Sequence, residues 1–168
     1  MIDVGEEAPL STSGSWLRGA DGILRTWVLI GLGLLALMLA SVEIVVGVPL
    51  VQPTGLLIVV NAVVGVSFVG TSIVALRQRP SNRVGVLLAA TGFLWFTQTL
   101  VLLANPWAFS LGLLLEGLFW APLGHLLLSF PTGRLDSRTD RFLVVALYIT
   151  LPVLNMLSIL FLDPIAAG

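Results

Sequence analysis

The sequence predicts an all-α fold: a polytopic membrane helix bundle of five transmembrane helices with the N-terminus inside. Of the 168 residues, 57% are hydrophobic and only 10% are charged, and the mean hydropathy is +1.05. An average soluble domain is about one quarter charged, so this composition excludes a water-soluble globule. It also excludes a disordered chain, which needs low hydrophobicity and high charge. Long charge-free stretches provide the spans, since a membrane-spanning helix needs about 20 mostly apolar residues.

The charge map places five predicted spans at 27–48, 55–76, 84–104, 109–130 and 142–162. Two charge-free stretches, 44–76 and 84–115, are too long for one span each. Turn residues around Pro53 and Pro106 divide them. Pro122 lies in the middle of the fourth predicted span. Because proline removes a backbone hydrogen bond, it predicts a kink in that helix.

The cations set the predicted orientation. All eight are arginines, and they precede the first span or lie in two of the four loops: Arg18, Arg25, Arg77, Arg79, Arg83, Arg134, Arg138 and Arg141. The positive-inside rule assigns this side to the cytoplasm. A multi-pass protein of the cell membrane is therefore expected, with its N-terminus cytoplasmic and its C-terminus external.

Residues 1–26 are predicted to be a cytoplasmic tail. Apolar residues at helical spacing before the first span favour an interfacial helix there, with a flexible lead-in as the alternative. Residues 27–162 form the predicted transmembrane domain, and 163–168 an external tail. Five crossings leave Gly168 outside, so a cytoplasmic domain would have to follow at least one further span.

Several function classes lack the residues they need. The chain has no cysteine and a net charge of −1, which gives no thiolate metal site and no basic excess for a nucleic-acid partner. No glycine-rich phosphate loop or cluster of metal ligands is present in the sequence. No catalytic residue, metal or cofactor is therefore predicted, and the lipid bilayer is the principal partner expected.

Polar side chains within the predicted spans are the first candidate site. Ionisable groups in a bilayer are costly and mark functional positions. Five such residues fall in the predicted outer half: Glu43, Asn61, Gln98, Glu116 and Asn155. One hypothesis is an outer polar pocket that binds a cationic or amphipathic signal. The alternative is that Gln98 and Asn155 make interhelical hydrogen bonds while both glutamates reach the outer interface.

Two arginine-rich loops are the second candidate site. Their cations are Arg77, Arg79 and Arg83 in one loop and Arg134, Arg138 and Arg141 in the other. They are interpreted either as topology anchors on lipid phosphates or as a docking surface for a cytoplasmic domain. Pairs of small residues such as Ala36 and Ala40 follow the small-xxx-small pattern. That pattern serves packing within a bundle, with a homodimer as the rarer alternative.

Both loops carry a resemblance to a known family. The segments RQRPSNRVGVLLAATGFLW (77–95) and LLLSFPTGRLDSRTDRF (126–142) resemble the membrane region of actinobacterial sensor histidine kinases. Asn82, Val84 and Gly85 match the first pattern, whereas Arg83 and Val86 replace its usual Pro and Trp. The second pattern is matched by Phe130, Pro131, Gly133, Arg134, Leu135, Ser137, Arg138 and Arg141. A lysine-free composition also fits a GC-rich actinobacterial source.

The resemblance implies a membrane-embedded sensing and anchoring region for signal transduction in a two-component system, without the catalytic domain. A kinase domain would then belong to a longer parent chain, because the only histidine, His125, lies inside a span rather than in a soluble dimerisation helix. The alternative is a small standalone integral membrane protein, such as a transporter subunit or an accessory protein. A membrane enzyme is a weaker third reading, since Glu116 and His125 are too few and badly placed.

Overall fold

The computed structural model describes residues 13–50, 55–80, 83–131 and 133–161, with side chains described for 22–49 and for the later ranges. The helices are α1 (Ser13–Leu50), α2 (Gly55–Gln78), α3 (Arg83–Phe96), α4 (Pro106–Leu115), α5 (Trp120–Ser129) and α6 (Arg138–Phe161). A 3-10 segment, Thr97–Leu102, continues α3. The described part contains no strand. Two predicted segments lie outside the described residues: the first 12 residues of the cytoplasmic tail and the external tail, 163–168.

Five helical stretches are long and apolar enough to cross a membrane: Gly22–Pro49, Gly55–Gln78, Arg83–Leu102, Pro106–Ser129 and Arg138–Phe161. We refer to them as spans one to five. They confirm the predicted all-α bundle with five membrane-spanning helices and indicate a multi-pass membrane protein. Large apolar side chains such as Leu34, Val63 and Ile149 are exposed along the spans, as contact with lipid tails requires. The proposed interfacial segment is part of α1, since that helix is continuous from Ser13.

The chain divides into two compact units at Gly31. In the first unit, the described residues form the beginning of α1. The second unit starts at Leu32 and contains all the other helices. Its core consists of small and apolar side chains from α1, α2 and α3: Ala36, Ala40, Ala62, Val69 and Phe96. The small-xxx-small pair of α1 therefore serves packing within the bundle, because small residues let helix backbones approach closely.

Within this second unit, α2 and α3 are in extensive contact. Gly92 of α3 lies at a close approach to α2. A Cβ atom at this position would lie 2.8 Å from Cγ2 of Val69 and 3.0 Å from the carbonyl oxygen of Gly65. Distances this short require the helices to separate, so only glycine permits the observed packing.

The substitution Gly92→Ala is expected to destabilise the bundle by about 1–3 kcal/mol, the usual cost of overpacking a core. The control is Gly70→Ala in α2, where an added Cβ meets nothing within 4 Å. Alanine there should leave stability unchanged or raise it, since glycine is a poor helix former. Reversible unfolding in mixed detergent micelles measures both. Equal stability of the two variants would contradict close packing at Gly92.

Span four is not one continuous helix. Helix α4 ends at Leu115 and α5 begins at Trp120; we call the four residues between them, 116–119, the span-four break. Gly117 adopts a left-handed backbone conformation with φ +66°, which glycine adopts without steric cost. The amide N–H of Leu118 donates to the Leu115 carbonyl at 3.0 Å, a tighter 3-10 type of bond.

The predicted kink residue lies just beyond the span-four break. Pro122 is in the first turn of α5, where a backbone N–H has no acceptor within its own helix. Proline is tolerated there, because the hydrogen bond that it cannot make would be missing in any case. The discontinuity therefore lies about one turn before the predicted position, at the residues around Gly117.

Candidate functional site

The carboxyl group of Glu43 joins three spans. Glu43 lies in α1 and is only 2% exposed. Its Oε1 atom accepts a hydrogen bond from Nδ2 of Asn61 in α2. The same atom accepts a second bond, at 2.7 Å, from Oγ1 of Thr99 in the 3-10 segment. The other carboxyl oxygen, Oε2, is buried and has no hydrogen-bond partner among the described residues. We call Glu43, Asn61 and Thr99 the carboxylate cluster.

A small cavity adjoins the carboxylate cluster. Its volume is about 70 Å³. Its lining consists of two polar residues, Glu43 and Thr99, and six apolar ones, Leu39, Val42, Val46, Phe96, Leu100 and Leu103. One water needs roughly 10–15 Å³ of such space, so the cavity has room for a few waters or a small polar group. An acidic side chain in an otherwise apolar cavity favours a cation or a hydrogen-bond donor.

The carboxylate cluster is connected to the span-four break by two further contacts. Nε1 of Trp95 donates a hydrogen bond to the Asn61 carbonyl oxygen at 3.1 Å. The Trp95 ring packs edge-on against Phe119, with ring centroids 4.5 Å apart. Phe119 is buried and is the last residue of the break. Direct contacts therefore run without a gap from Glu43 to the discontinuity in span four.

Asn155 of α6 holds the break from the other side. Its Nδ2 atom donates to the carbonyl oxygen of Leu114 at 3.1 Å and to that of Glu116 at 2.5 Å. Carbonyls at the end of a helix have no partner within the helix, and Asn155 supplies one. Asn155 thus makes interhelical hydrogen bonds, as the alternative to the outer polar pocket expects for this residue.

The structure joins two of the five residues predicted for an outer polar pocket, Glu43 and Asn61. Glu116 has an exposed side chain, does not line the cavity beside Glu43, and meets Asn155 through its backbone. Nε2 of Gln98 is buried without a hydrogen-bond partner among the described residues. The described contacts therefore place Asn155 and the Glu116 backbone at the break, apart from the carboxylate cluster.

Two residues that take part in these contacts, Thr99 and Trp95, have no distinguishing signal in the sequence. Threonine in an apolar helix usually bonds to its own backbone, as Thr91 does to the Leu87 carbonyl at 2.9 Å. The sequence did not distinguish Thr99 from such threonines. Trp95 is a packing residue by position, and its indole N–H donates to a backbone carbonyl 34 residues away, which no local pattern indicates.

A second, larger cavity lies at the opposite end of span three. Arg83 begins this span and Thr99 lies near its other end, about 25 Å away at the helical rise per residue. The cavity has a volume of about 560 Å³ and is lined by Arg83, His125, Gly133, Arg134, Leu135, Asp136 and Arg141. We call it the arginine cavity. It collects half of the predicted loop arginines; the others, Arg77, Arg79 and Arg138, do not line it.

The loop from α5 to α6 shapes the arginine cavity. Gly133 is buried and has φ +71°, and its N–H donates to the Ser129 carbonyl at 2.8 Å. A glycine in this conformation typically terminates a helix. Nε of Arg141 donates to the Leu135 carbonyl at 3.1 Å and thereby fixes the loop against the start of α6. The guanidinium group of Arg141 is consequently held at the cavity wall.

Comparison with family models, with curated proteins and with solved structures found no match to this chain. The fold and the two sites define a helical multi-pass membrane protein with a buried carboxylate cluster at one end and a basic cavity at the other. Among the described residues, no group of His, Cys, Asp and Glu side chains is arranged to hold a metal ion.

Proposed function

We propose that this chain is the sensing and anchoring region of a two-component sensor histidine kinase, embedded in the cell membrane with its N-terminus in the cytoplasm. The observation that carries the proposal is the unbroken series of contacts from the buried Glu43 to the span-four break. The resemblance of segments 77–95 and 126–142 to such kinases supports it independently. The arginine-rich loops then lie on the cytoplasmic side.

The carboxylate cluster is the input in this proposal. A carboxylate in a low-dielectric environment is costly unless its oxygens are hydrogen-bonded, and Oε2 of Glu43 lacks a described partner. The stimulus is a cationic or amphipathic ligand, or a change in the bilayer, and it alters the surroundings of Oε2. This alters in turn how strongly Oε1 accepts hydrogen bonds from Asn61 and Thr99. The stimulus is thus converted into a change in the packing of spans one, two and three.

The span-four break is the moving part. A few residues between two rigid elements absorb most of the backbone rotation in a hinge, and Gly117 provides such a position. Beyond the break, α5 carries His125 to the arginine cavity. A tilt of α5 moves the loop between α5 and α6. In a parent protein, this movement would be passed to the kinase domain on that side of the membrane.

Reading the transcript beyond codon 168 tests the overall proposal. The expected result is an open reading frame with at least one further span and then a histidine-kinase catalytic domain. A stop codon directly after Gly168 would overturn the proposal and favour the standalone membrane protein instead.

A second test addresses the coupling within this chain. The substitution Glu43→Gln replaces the carboxyl group that accepts from Asn61 and Thr99 with an amide, and we expect it to weaken these contacts by about the worth of one interhelical hydrogen bond. An interhelical bond is worth about 0.6 kcal/mol, which corresponds to about a threefold change in an opening equilibrium. We therefore expect Glu43→Gln to raise hydrogen exchange of the amides at 116–121 about threefold in lipid nanodiscs.

The matched control is Ser41→Ala. Ser41 lies two residues away on the same helix, is exposed, and bonds only its own helix backbone, at the Leu37 carbonyl. Removing the Ser41 hydroxyl group should leave hydrogen exchange of the amides at 116–121 unchanged. If Glu43→Gln changes exchange only within spans one to three, the coupling to the break is absent.

A further inference from the structure

We propose that the arginine cavity binds a phosphate group, carried either by a lipid headgroup or by a soluble anion. This site is separate from the carboxylate cluster and does not depend on the sensing role. Four parts of the chain converge on it: the start of α3, α5, the loop after α5 and the first turn of α6.

The charges of the cavity lining favour an anion. Three arginines, Arg83, Arg134 and Arg141, and one acid, Asp136, line the cavity. Cations therefore outnumber acids in the lining, and a surface of this sign attracts anionic groups.

The kinds of donor point in the same direction. Arginine presents a planar fork of N–H groups that fits phosphate oxygens two at a time. His125, the only histidine in the chain, adds a ring nitrogen that is able to donate. The Nε–H of Arg141 already donates to the Leu135 carbonyl, so this guanidinium is oriented before any ligand binds. A preoriented group loses less conformational entropy on binding.

The size and position of the cavity also fit. Small-molecule sites typically measure about 300–1,000 Å³, and this cavity of about 560 Å³ lies within that range. It lies at the ends of spans three, four and five. In a bilayer, the ends of spanning helices lie at the level of the lipid headgroups, so both headgroup phosphates and soluble phosphates can reach it.

Two matched pairs of variants test the proposal, each with the same loss of charge. In the first loop, Arg83→Gln removes a lining residue and Arg79→Gln removes a neighbour that does not line the cavity. In the second loop, Arg141→Gln and Arg138→Gln form the corresponding pair. Losing a charged hydrogen bond reduces affinity by about tenfold or more. Arg83→Lys keeps the charge without the fork and should lose most of the same affinity.

Two probes separate the two phosphate sources. The full chain in uncharged detergent is titrated with inorganic phosphate by calorimetry, and the phosphatidylglycerol retained after purification is counted by native mass spectrometry. Circular dichroism confirms the helix content of every variant. A tenfold loss of phosphate affinity confined to the variants of Arg83 and Arg141 supports a soluble anion. A loss of retained lipid confined to these variants supports a headgroup. Equal behaviour of lining and control variants, or no binding of either probe, overturns the proposal.

Discussion

Removing both described hydrogen-bond donors of Glu43, by the double substitution Asn61→Leu and Thr99→Val, is expected to destabilise the bundle by about 3 kcal/mol. A buried acceptor left without a partner costs about 1–3 kcal/mol, and more when it is charged. Glu43 is almost completely buried, so water is poorly placed to replace the donors. Reversible unfolding in mixed micelles, followed by circular dichroism, measures the loss.

The sharper part of this experiment is the rescue. Adding Glu43→Leu to the double variant should restore most of the stability, because exchanging a whole buried polar cluster for apolar residues is often neutral or stabilising. The control is Ser67→Ala in α2, which removes an exposed hydroxyl bonded to its own helix at the Val63 carbonyl. A triple variant as unstable as the double variant would show that the loss comes from packing and not from the unpartnered carboxyl.

The second large effect is expected at Asn155. The substitution Asn155→Leu leaves the carbonyl groups of Leu114 and Glu116 without their side-chain donor, at a cost of about 1–3 kcal/mol. The damage should be local to the span-four break, because Asn155 ties α6 to these two carbonyls. Hydrogen exchange at 116–121 should therefore rise together with the loss of stability.

Ser158→Ala provides the comparison on the same helix. The Ser158 hydroxyl is exposed and donates within α6, to the Leu154 carbonyl at 3.0 Å. This variant should differ from the unsubstituted protein by less than about 0.5 kcal/mol, as is usual for surface changes. If Asn155→Leu and Ser158→Ala have equal effects, the break is held by its own backbone and not by α6.

The helical architecture was predictable because charges and turn residues report directly on what the bilayer permits. A lipid environment requires every backbone group to be paired within the spanning segment, so charge-free stretches of sufficient length become helices. Each predicted span overlaps one of the five apolar helical stretches, and α1 extends back to Ser13.

The site was only partly predictable. Glu43 and Asn61 were found from polarity within apolar spans, because a polar side chain in lipid needs a partner. The identity of that partner depends on how helices rotate against each other, and this rotation is not encoded in a local pattern. Thr99 and Trp95 were missed for this reason. The helix is interrupted near Gly117 and not at the predicted position, Pro122. Glycine, about one turn earlier, adopts the unusual backbone conformation at lower steric cost.

The carboxylate cluster also constrains the order in which the protein is assembled. Glu43 is synthesised before either of its donors: Asn61 follows 18 residues later and Thr99 56 residues later. At about 5–20 residues per second, the ribosome delivers Thr99 about 3–11 s after Glu43. Span one is therefore expected to enter the membrane before either donor of Glu43 has been made, driven by the apolar residues of the span. Substitutions at the carboxylate cluster are then expected to impair the docking of α2 and α3 more than the insertion of span one.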